Sequence, residues 1–170
     1  MKYSYVTLIK IGFFLGLILQ WSIANAALPP KVEANLILKV LNFNKSITPG
    51  SNITVHVIGN DAIGQALQKL SGRRVGKAKL GDVTFSGSLP ASAVNVIYTG
   101  DGGQVEGVKG FAASSNALTI AGDSAWVEKG LILGFVVEGG KPKFVINLTQ
   151  SKAQGIDWNP AILKIANIVN

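Results

Sequence analysis

No cysteine occurs anywhere in the 170 residues. That absence excludes disulfide staples, thiolate nucleophiles, iron–sulfur clusters and lipid attachment at a cleavage-site cysteine. Histidine is nearly absent as well: His56 stands alone and cannot build a multi-histidine metal site. There is no arginine-rich tract with interleaved aromatics, and the formal charge of +7 is spread along the chain, so nucleic acid is not expected as a partner. No Gly-x-Ser-x-Gly elbow presents a serine nucleophile. The nine acidic residues fall at no spacing that pairs two of them on one strand or helix face. Neither a catalytic set, nor a metal site, nor a resident cofactor is expected.

What is present begins with an export signal. Lys2 and Lys10 give a positive start, Ile11–Leu19 is an apolar run, and Ala24-Asn25-Ala26 is the small-x-small pattern that signal peptidase reads. Ile11 to Ile23 is 13 residues, short of the ~20 that cross a bilayer as a helix. Extending the run back through Tyr3–Ile9 would place Lys10 inside the apolar zone, at a cost. Cleavage between Ala26 and Ala27 is therefore expected, with residues 27–170 forming one exported domain. Loss of Lys2 and Lys10 with the leader lowers the net charge from +7 to +5. The remaining 144 residues suffice to bury a core without staples.

Strand and helix signals then alternate. Pro29-Pro30 suits a helix start, and Val32, Leu36, Val40 and Phe43 make one apolar helical stripe that Pro49-Gly50 ends. Ile53–Ile58 reads as the first core strand. Gly59-Asn60-Asp61 breaks it, with Asn60 or Asp61 placed to cap a helix whose buried face is Ile63, Ala66, Leu67 and Leu70. Ser71-Gly72 closes that helix. Arg73–Leu80 and Val83–Phe85 read as minor strands separated by Gly81-Asp82, and Val94–Tyr98 and Ala117–Ile120 as further strands. Gly100–Gly110 reads as loop before a weak helix, and Ser124–Lys129 as a turn of helix. From Gly130 to Leu148, the apolar runs Leu131–Val137 and Phe144–Leu148 flank Glu138-Gly139-Gly140-Lys141. Gly-Gly there supplies the positive φ angles of a tight hairpin. Lys141, Pro142 and Lys143 at the start of the second run suit a strand nearer an edge. Thr149–Gln154 reads as a short helix stopped by Gly155. Pro160–Val169 reads as a last helix with Ile162, Ile165, Ala166 and Val169 on one face. The pattern predicts an α/β fold: a single-domain layered sandwich around a mostly parallel central sheet, with an antiparallel C-terminal hairpin.

Few side chains suggest chemistry. Gly59-x-x-x-x-Gly64 lies where a phosphate loop would, but Gln65-Ala66 follows instead of Lys-Ser/Thr, so the glycines are expected to serve turn geometry. His56, mid-strand between Val55 and Val57, is expected to be structural; a base beside a serine and a carboxylate is the sharper alternative. Asp101 and Glu106 share a glycine-rich loop at the carboxyl end of a strand, where open α/β sheets place ligands. They are the candidate ligand-binding residues, and simple loop solvation explains them equally well. Arg73, Arg74, Lys77 and Lys79 form the densest basic cluster. It is either a charged edge that discourages strand-to-strand aggregation or a docking stripe for an acidic partner. Trp126 and Trp158 sit beside loops and either anchor an interface or cap a core edge. The sequons at Asn52 and Asn147 abut strands and are discounted.

The order of these signals from Lys31 to Val169 resembles the YfiR/HmsC-like family of small bacterial periplasmic proteins. The last third is the most specific part. ALTIAGDSAWVEKG is similar to that family's strand, Asp-containing turn and closing glycine. GLILGFVVEGGKPKFVINL is similar to its glycine–hydrophobic strand, turn and Phe-x-Ile-Asn strand, carried by Phe144, Ile146 and Asn147. QSKAQGIDWNPAILKIANIV is similar to its final helices, and ITVHVIGNDAIGQALQKLSGRRVGKAKL to its strand, amphipathic helix and Gly-Arg/Lys-x-Val strand. The resemblance implies a non-catalytic periplasmic regulator that engages a membrane-bound signalling protein, a diguanylate cyclase or a sensor kinase, as a monomer or homodimer, and lowers cyclic-di-GMP and biofilm formation. Three features depart from the family pattern. Cysteines are missing, so disulfide control cannot operate. NFNKSITPG ends the first helix without Trp-Pro. The stretch between Tyr98 and Ala117 is rich in glycine and has no clear helix signal. The other readings are a small-ligand sensor using the Gly100–Gly110 loop and, last, a hydrolase using His56.

Overall fold

The computed structural model describes residues 28–100 and 104–170. The leader, the Ala26–Ala27 junction and Asp101 lie outside the described residues. Eight strands form one mixed sheet: β1 (Asn52–Ile58), β2 (Arg74–Val75), β3 (Ala78–Ser86), β4 (Val96–Thr99), β5 (Leu118–Ala121), β6 (Leu133–Glu138), β7 (Lys141–Asn147) and β8 (Ala166–Val169), in the spatial order β2-β3-β1-β4-β5-β6-β7-β8. The central strands β3, β1, β4, β5 and β6 run parallel. β2–β3 and β6–β7 are antiparallel. The expected α/β architecture with a mostly parallel sheet and a late antiparallel hairpin is what the chain adopts.

Two cores flank the sheet. On one face α1 (Pro30–Leu41) and α2 (Asp61–Gln68) cover Val55, Val57, Tyr98, Ile120 and Phe135 with Ile37, Leu41, Ile63 and Leu67. On the other, α3 (Val105–Ser115) covers Ile58, Ile97 and Leu131 with Val108 and Ala112. β4 is buried on both faces because helices cover each side, so its apolar run barely alternates; β1 alternates Ile53, Val55 and Val57 with Thr54 and His56, whose ring is covered by the segment at Ser86–Ser88. The short helices α4 (Ala125–Glu128), α5 (Leu148–Ala153) and α6 (Pro160–Leu163) complete the connections.

Four sequence expectations change. The expected stripe of α1 is only its flank: Val32 is 43% exposed and Leu36 and Phe43 are half-buried, while Val40 is buried together with Glu33, Ala34, Ile37, Leu38 and Leu41. The centre of the buried face therefore lies on the Ala34/Ile37/Leu41 side of the expected line. Gly81-Asp82 does not separate two strands. β3 runs through it as a bulge, since Ile53 pairs with Leu80 but Val55 with Val83, leaving one extra residue on β3. Gly81 sits where a Cβ would lie 2.9 Å from the Asn52 Cβ. The loop expected through Gly110 is helical from Val105, because Val105, Val108 and Ala112 bury one face. That packing outweighs a helix penalty of about 1 kcal/mol for each of Gly107 and Gly110.

The fourth change concerns the chain's last segment. The helix expected over Pro160–Val169 stops at Leu163, and Ala166–Val169 instead adds β8 to the sheet, parallel to β7. Ile162, Ile165, Ala166 and Val169 fit a helical face, but residues 166–169 also satisfy the ladder groups that β7 would otherwise leave open. β7 is therefore internal and not the edge, with Pro142 opposite Val137 near its start.

The hairpin is built as expected. Gly139 and Gly140 have φ of 57° and 74°, both positive, as a tight two-residue turn between right-twisted strands requires. Phe135 and Phe144 are paired across it, ring centroids 5.9 Å apart and tilted. Phe144→Ala removes that contact from a site 6% exposed and is expected to cost about 3–5 kcal/mol in urea unfolding. Gly140→Ala is expected to cost about 1–2 kcal/mol by imposing a left-handed backbone on an L residue.

Candidate functional site

The sheet changes direction between β1 and β4. The chain leaves β1 through α2 toward β3 on one side, and leaves β4 through α3 toward β5 on the other. A crevice opens at the carboxyl ends of neighbouring parallel strands whose connections diverge in this way. Here it is a cavity of about 270 Å³, walled by Leu28, Ile63, Phe135, Val136 and Val137 and lined with polar groups from Glu33, Asn60, Tyr98 and Asp123.

Each polar group is placed by a local rule. Asn60 follows β1 and caps α2, its Oδ1 accepting from the Ile63 N–H at 3.1 Å. Tyr98 ends the apolar face of β4, and its hydroxyl donates to Glu33 Oε1 at 2.7 Å. Glu33 lies in the first turn of α1, on its buried face, and is 5% exposed. Asp123 is exposed at the rim, where its Oδ1 accepts from the Ala125 N–H at 2.9 Å. Two glycines make room. A Cβ on Gly122 would stand 2.5 Å from the Tyr98 hydroxyl, and one on Gly100 would stand 2.8 Å from the Asn60 Cβ.

Burial dominates the electrostatics. It pushes the Glu33 carboxyl up to about 7, against the opposing hydrogen bond from Tyr98. Burial also raises the Tyr98 hydroxyl well above its ordinary range, helped by the Glu33 carboxylate and opposed by the Asn60 amide. No lysine, arginine or histidine lines the cavity among the described residues. In a chain with a net charge of +7, this is a local acidic pocket.

The residues singled out in the sequence do not converge on it. Asp101 is outside the described residues. Glu106 is exposed on the first turn of α3 and paired with Lys109 at 3.0 Å, away from the cavity. Gly59 turns the chain with φ 70°, and Gly64 lets α2 pack against the Phe85 ring, 2.5 Å from where a Cβ would lie. His56 is buried with both nitrogens engaged: Nδ1 lies 2.7 Å from Thr84 Oγ1 and Nε2 lies 2.9 Å from the Ser88 carbonyl oxygen. The Ser88 carbonyl can only accept, so Nε2 carries the proton and Nδ1 accepts from Thr84. Ser86 Oγ is 3.3 Å away, but no carboxylate orients the ring, so the constellation of a hydrolase is not assembled.

Arg73, Arg74, Lys77 and Lys79 are all exposed at the β2–β3 edge. None is within salt-bridge distance of a carboxylate among the described residues, and Arg73 instead donates to Asn35 Oδ1 at 2.9 Å. Trp158 is core, 5% exposed, with its indole N–H on Ser151 Oγ. Trp126 is half-buried under Lys129, whose ammonium stands 4.4 Å from the ring centroid. The described residues hold no group of three or more metal-ligating side chains, and no helix among them is long and apolar enough to cross a membrane.

An α/β domain with a mixed eight-stranded sheet and a polar crevice at its switch point is thus in place. The model of the YfiR/HmsC-like family matches residues 30–167, and the chain belongs to that family of periplasmic regulatory proteins. No curated protein sequence is significantly similar to it. Among solved structures, it is similar in fold to a conserved domain protein from Vibrio cholerae O1 biovar El Tor str. N16961, with 18% identity and a TM-score of 0.55. The match covers 84% of this chain and 60% of that one.

Glu33 makes the fold sensitive to pH. The carboxyl titrates near 4.5 in its ordinary state and near 7 when folded. Between those values the folded protein holds a proton that the unfolded chain has released. Its favourable contribution is therefore full below pH 4.5 and is lost as pH rises through 7. The loss is at most about 3 kcal/mol. Urea unfolding from pH 5 to 8 should show this decline in the wild type and a flatter profile in Glu33→Gln. Parallel profiles would contradict it.

Proposed function

We propose that this protein is a non-catalytic periplasmic regulator that binds the outer part of a membrane-bound signalling protein, a diguanylate cyclase or a sensor kinase, and holds its output down. The observation that carries this reading is membership in the YfiR/HmsC-like family across residues 30–167. Export would be directed by the leader that ends at Ala26-Ala27. The docking surface we assign is the basic β2–β3 edge. Four cations stand there on β2, its flanks and the start of β3, none within salt-bridge distance of a carboxylate among the described residues. Such a patch accelerates encounter with an acidic partner. A short, charged edge also resists unwanted strand pairing, so both uses of the same residues are compatible.

A second reading is favoured by one observation, the cavity at the switch point: the protein also senses a small ligand. It moves the ligand site from the expected Asp101/Glu106 pair to the crevice at Glu33 and Tyr98. Glu106 is committed to Lys109 outside it.

Deletion of the gene is expected to raise cyclic-di-GMP and biofilm, and the wild-type chain to restore both. A Arg73→Glu/Arg74→Glu/Lys77→Glu variant, all at exposed positions, is expected to fold normally yet fail to restore them. Its affinity for the partner's periplasmic segment should fall by about tenfold or more. The affinity of the wild type should weaken with added salt. Unchanged cyclic-di-GMP on deletion would overturn the regulatory reading; full rescue by the variant would overturn only the surface.

A further inference from the structure

Glu33 is a buried carboxyl at the wall of a cavity with no basic partner among the described residues. A buried carboxylate is strongly disfavoured unless it is paired and hydrogen-bonded. Its Oε1 receives a hydrogen bond from the Tyr98 hydroxyl at 2.7 Å. An ionised carboxylate has about four acceptor positions across its two oxygens, so a cationic donor entering the cavity could share them.

The titratable groups around Glu33 offer no counter-charge. From α1 there is Glu33 itself, from β4 Tyr98 and after β5 Asp123. The lining residues from the β1–α2 turn and β6 are Asn60, Ile63, Phe135, Val136 and Val137, none of them charged. A structural carboxylate that served packing alone would be easily replaced by an apolar residue among Ala34, Ile37 and Leu41. Here it is instead held against a cavity, with Tyr98 and Asn60 braced behind it. Gly122 and Gly100 keep both in place, because a Cβ at either would collide with the brace.

We infer that the switch-point cavity binds a small organic cation, an amine whose ammonium group pairs with the Glu33 carboxylate while its apolar body lies on Phe135, Val137 and Leu28. The chemistry matches on three counts. The lining offers the Glu33 carboxyl, the walls are aliphatic and aromatic, and Asp123 adds a second negative charge at the rim. The volume of about 270 Å³ falls just below the ~300–1,000 Å³ of clefts for drug-sized ligands, so the ligand is metabolite-sized. Binding a cation would favour the ionised form of Glu33 against the burial that raises its carboxyl. The site is independent of the basic docking edge and does not rest on the partner reading.

Benzylamine, benzyl alcohol and benzoate share one shape and differ in charge, so they separate the pairing from simple cavity filling. Titrated into the full chain and followed by amide chemical shifts, benzylamine is expected to perturb Asn60, Tyr98, Gly100 and Gly122 saturably. It should bind at least about tenfold tighter than the alcohol, with benzoate not binding. Its affinity should rise from pH 6 to pH 8 as Glu33 ionises, and fall at least about tenfold in Glu33→Gln. Equal affinities for amine and alcohol, tighter binding of benzoate, shifts located elsewhere, or no saturable shift with any of the three would each overturn the proposal. The charge series uses the wild type, so the result stands even if the Glu33 variant fails to fold.

Discussion

The hydrogen bond from Tyr98 to Glu33 is the one buried side-chain link between α1 and the sheet among the described residues. The rest of the buried face of this helix is apolar, from Ala34 through Ile37 and Leu38 to Leu41, and its polar links to the β2 end, such as Arg73 to Asn35, are exposed. Apolar packing is non-directional and would tolerate rotation of the helix by one residue, as the parallel line of Val32 and Leu36 shows. A buried carboxyl does not tolerate it: rotated away, Tyr98 would lose its acceptor within the core, at about 1–3 kcal/mol for the unsatisfied group. The pair therefore sets the register of α1, and with it the wall of the cavity.

The same end of the sheet is where the connections diverge, and close backbone approach follows from that. The turn after β1 and the chain after β4 share one crevice, so Gly100 packs against Asn60 without a side chain of its own. Asn60 then holds two roles, capping α2 and bracing Tyr98. Glu33 and Asp123 line the crevice at the carboxyl ends of β4 and β5, whereas Arg73, Arg74, Lys77 and Lys79 stand on the β2–β3 edge. The proposed amine site and the proposed docking edge therefore use different residues and different faces of the fold.

Much of the fold was legible in the sequence because its signals were local. The positive-φ glycines of the hairpin, the Asn60 cap, the β-branched run of β1 and the apolar run of β4 each follow from a few adjacent residues. What could not be read depended on distant partners. Ala166–Val169 carries both a helical and a strand pattern, and only the open edge of β7 decides between them. Gly81-Asp82 looks like a break until β1 is placed alongside, when it becomes a bulge. The glycines of α3 suggest loop until the packing of Val108 and Ala112 on Ile97 and Leu131 is seen.

The site was hidden for the same reason. Asp101 and Glu106 drew attention by lying in a glycine-rich loop after a strand, and a cavity does open at that end of the sheet. The groups lining the cavity come instead from residues 33, 60, 98 and 123, far apart in the chain. One local sign was present: Glu33 falls in register with Ile37 and Leu41, a carboxylate on an otherwise apolar face. The central claim is that this carboxyl is buried, poised and functional. A site-resolved ¹³C NMR titration of the Glu33 side-chain carboxyl tests it most directly. A midpoint near 7 is predicted, and a midpoint near the ordinary 4.5 would contradict the account.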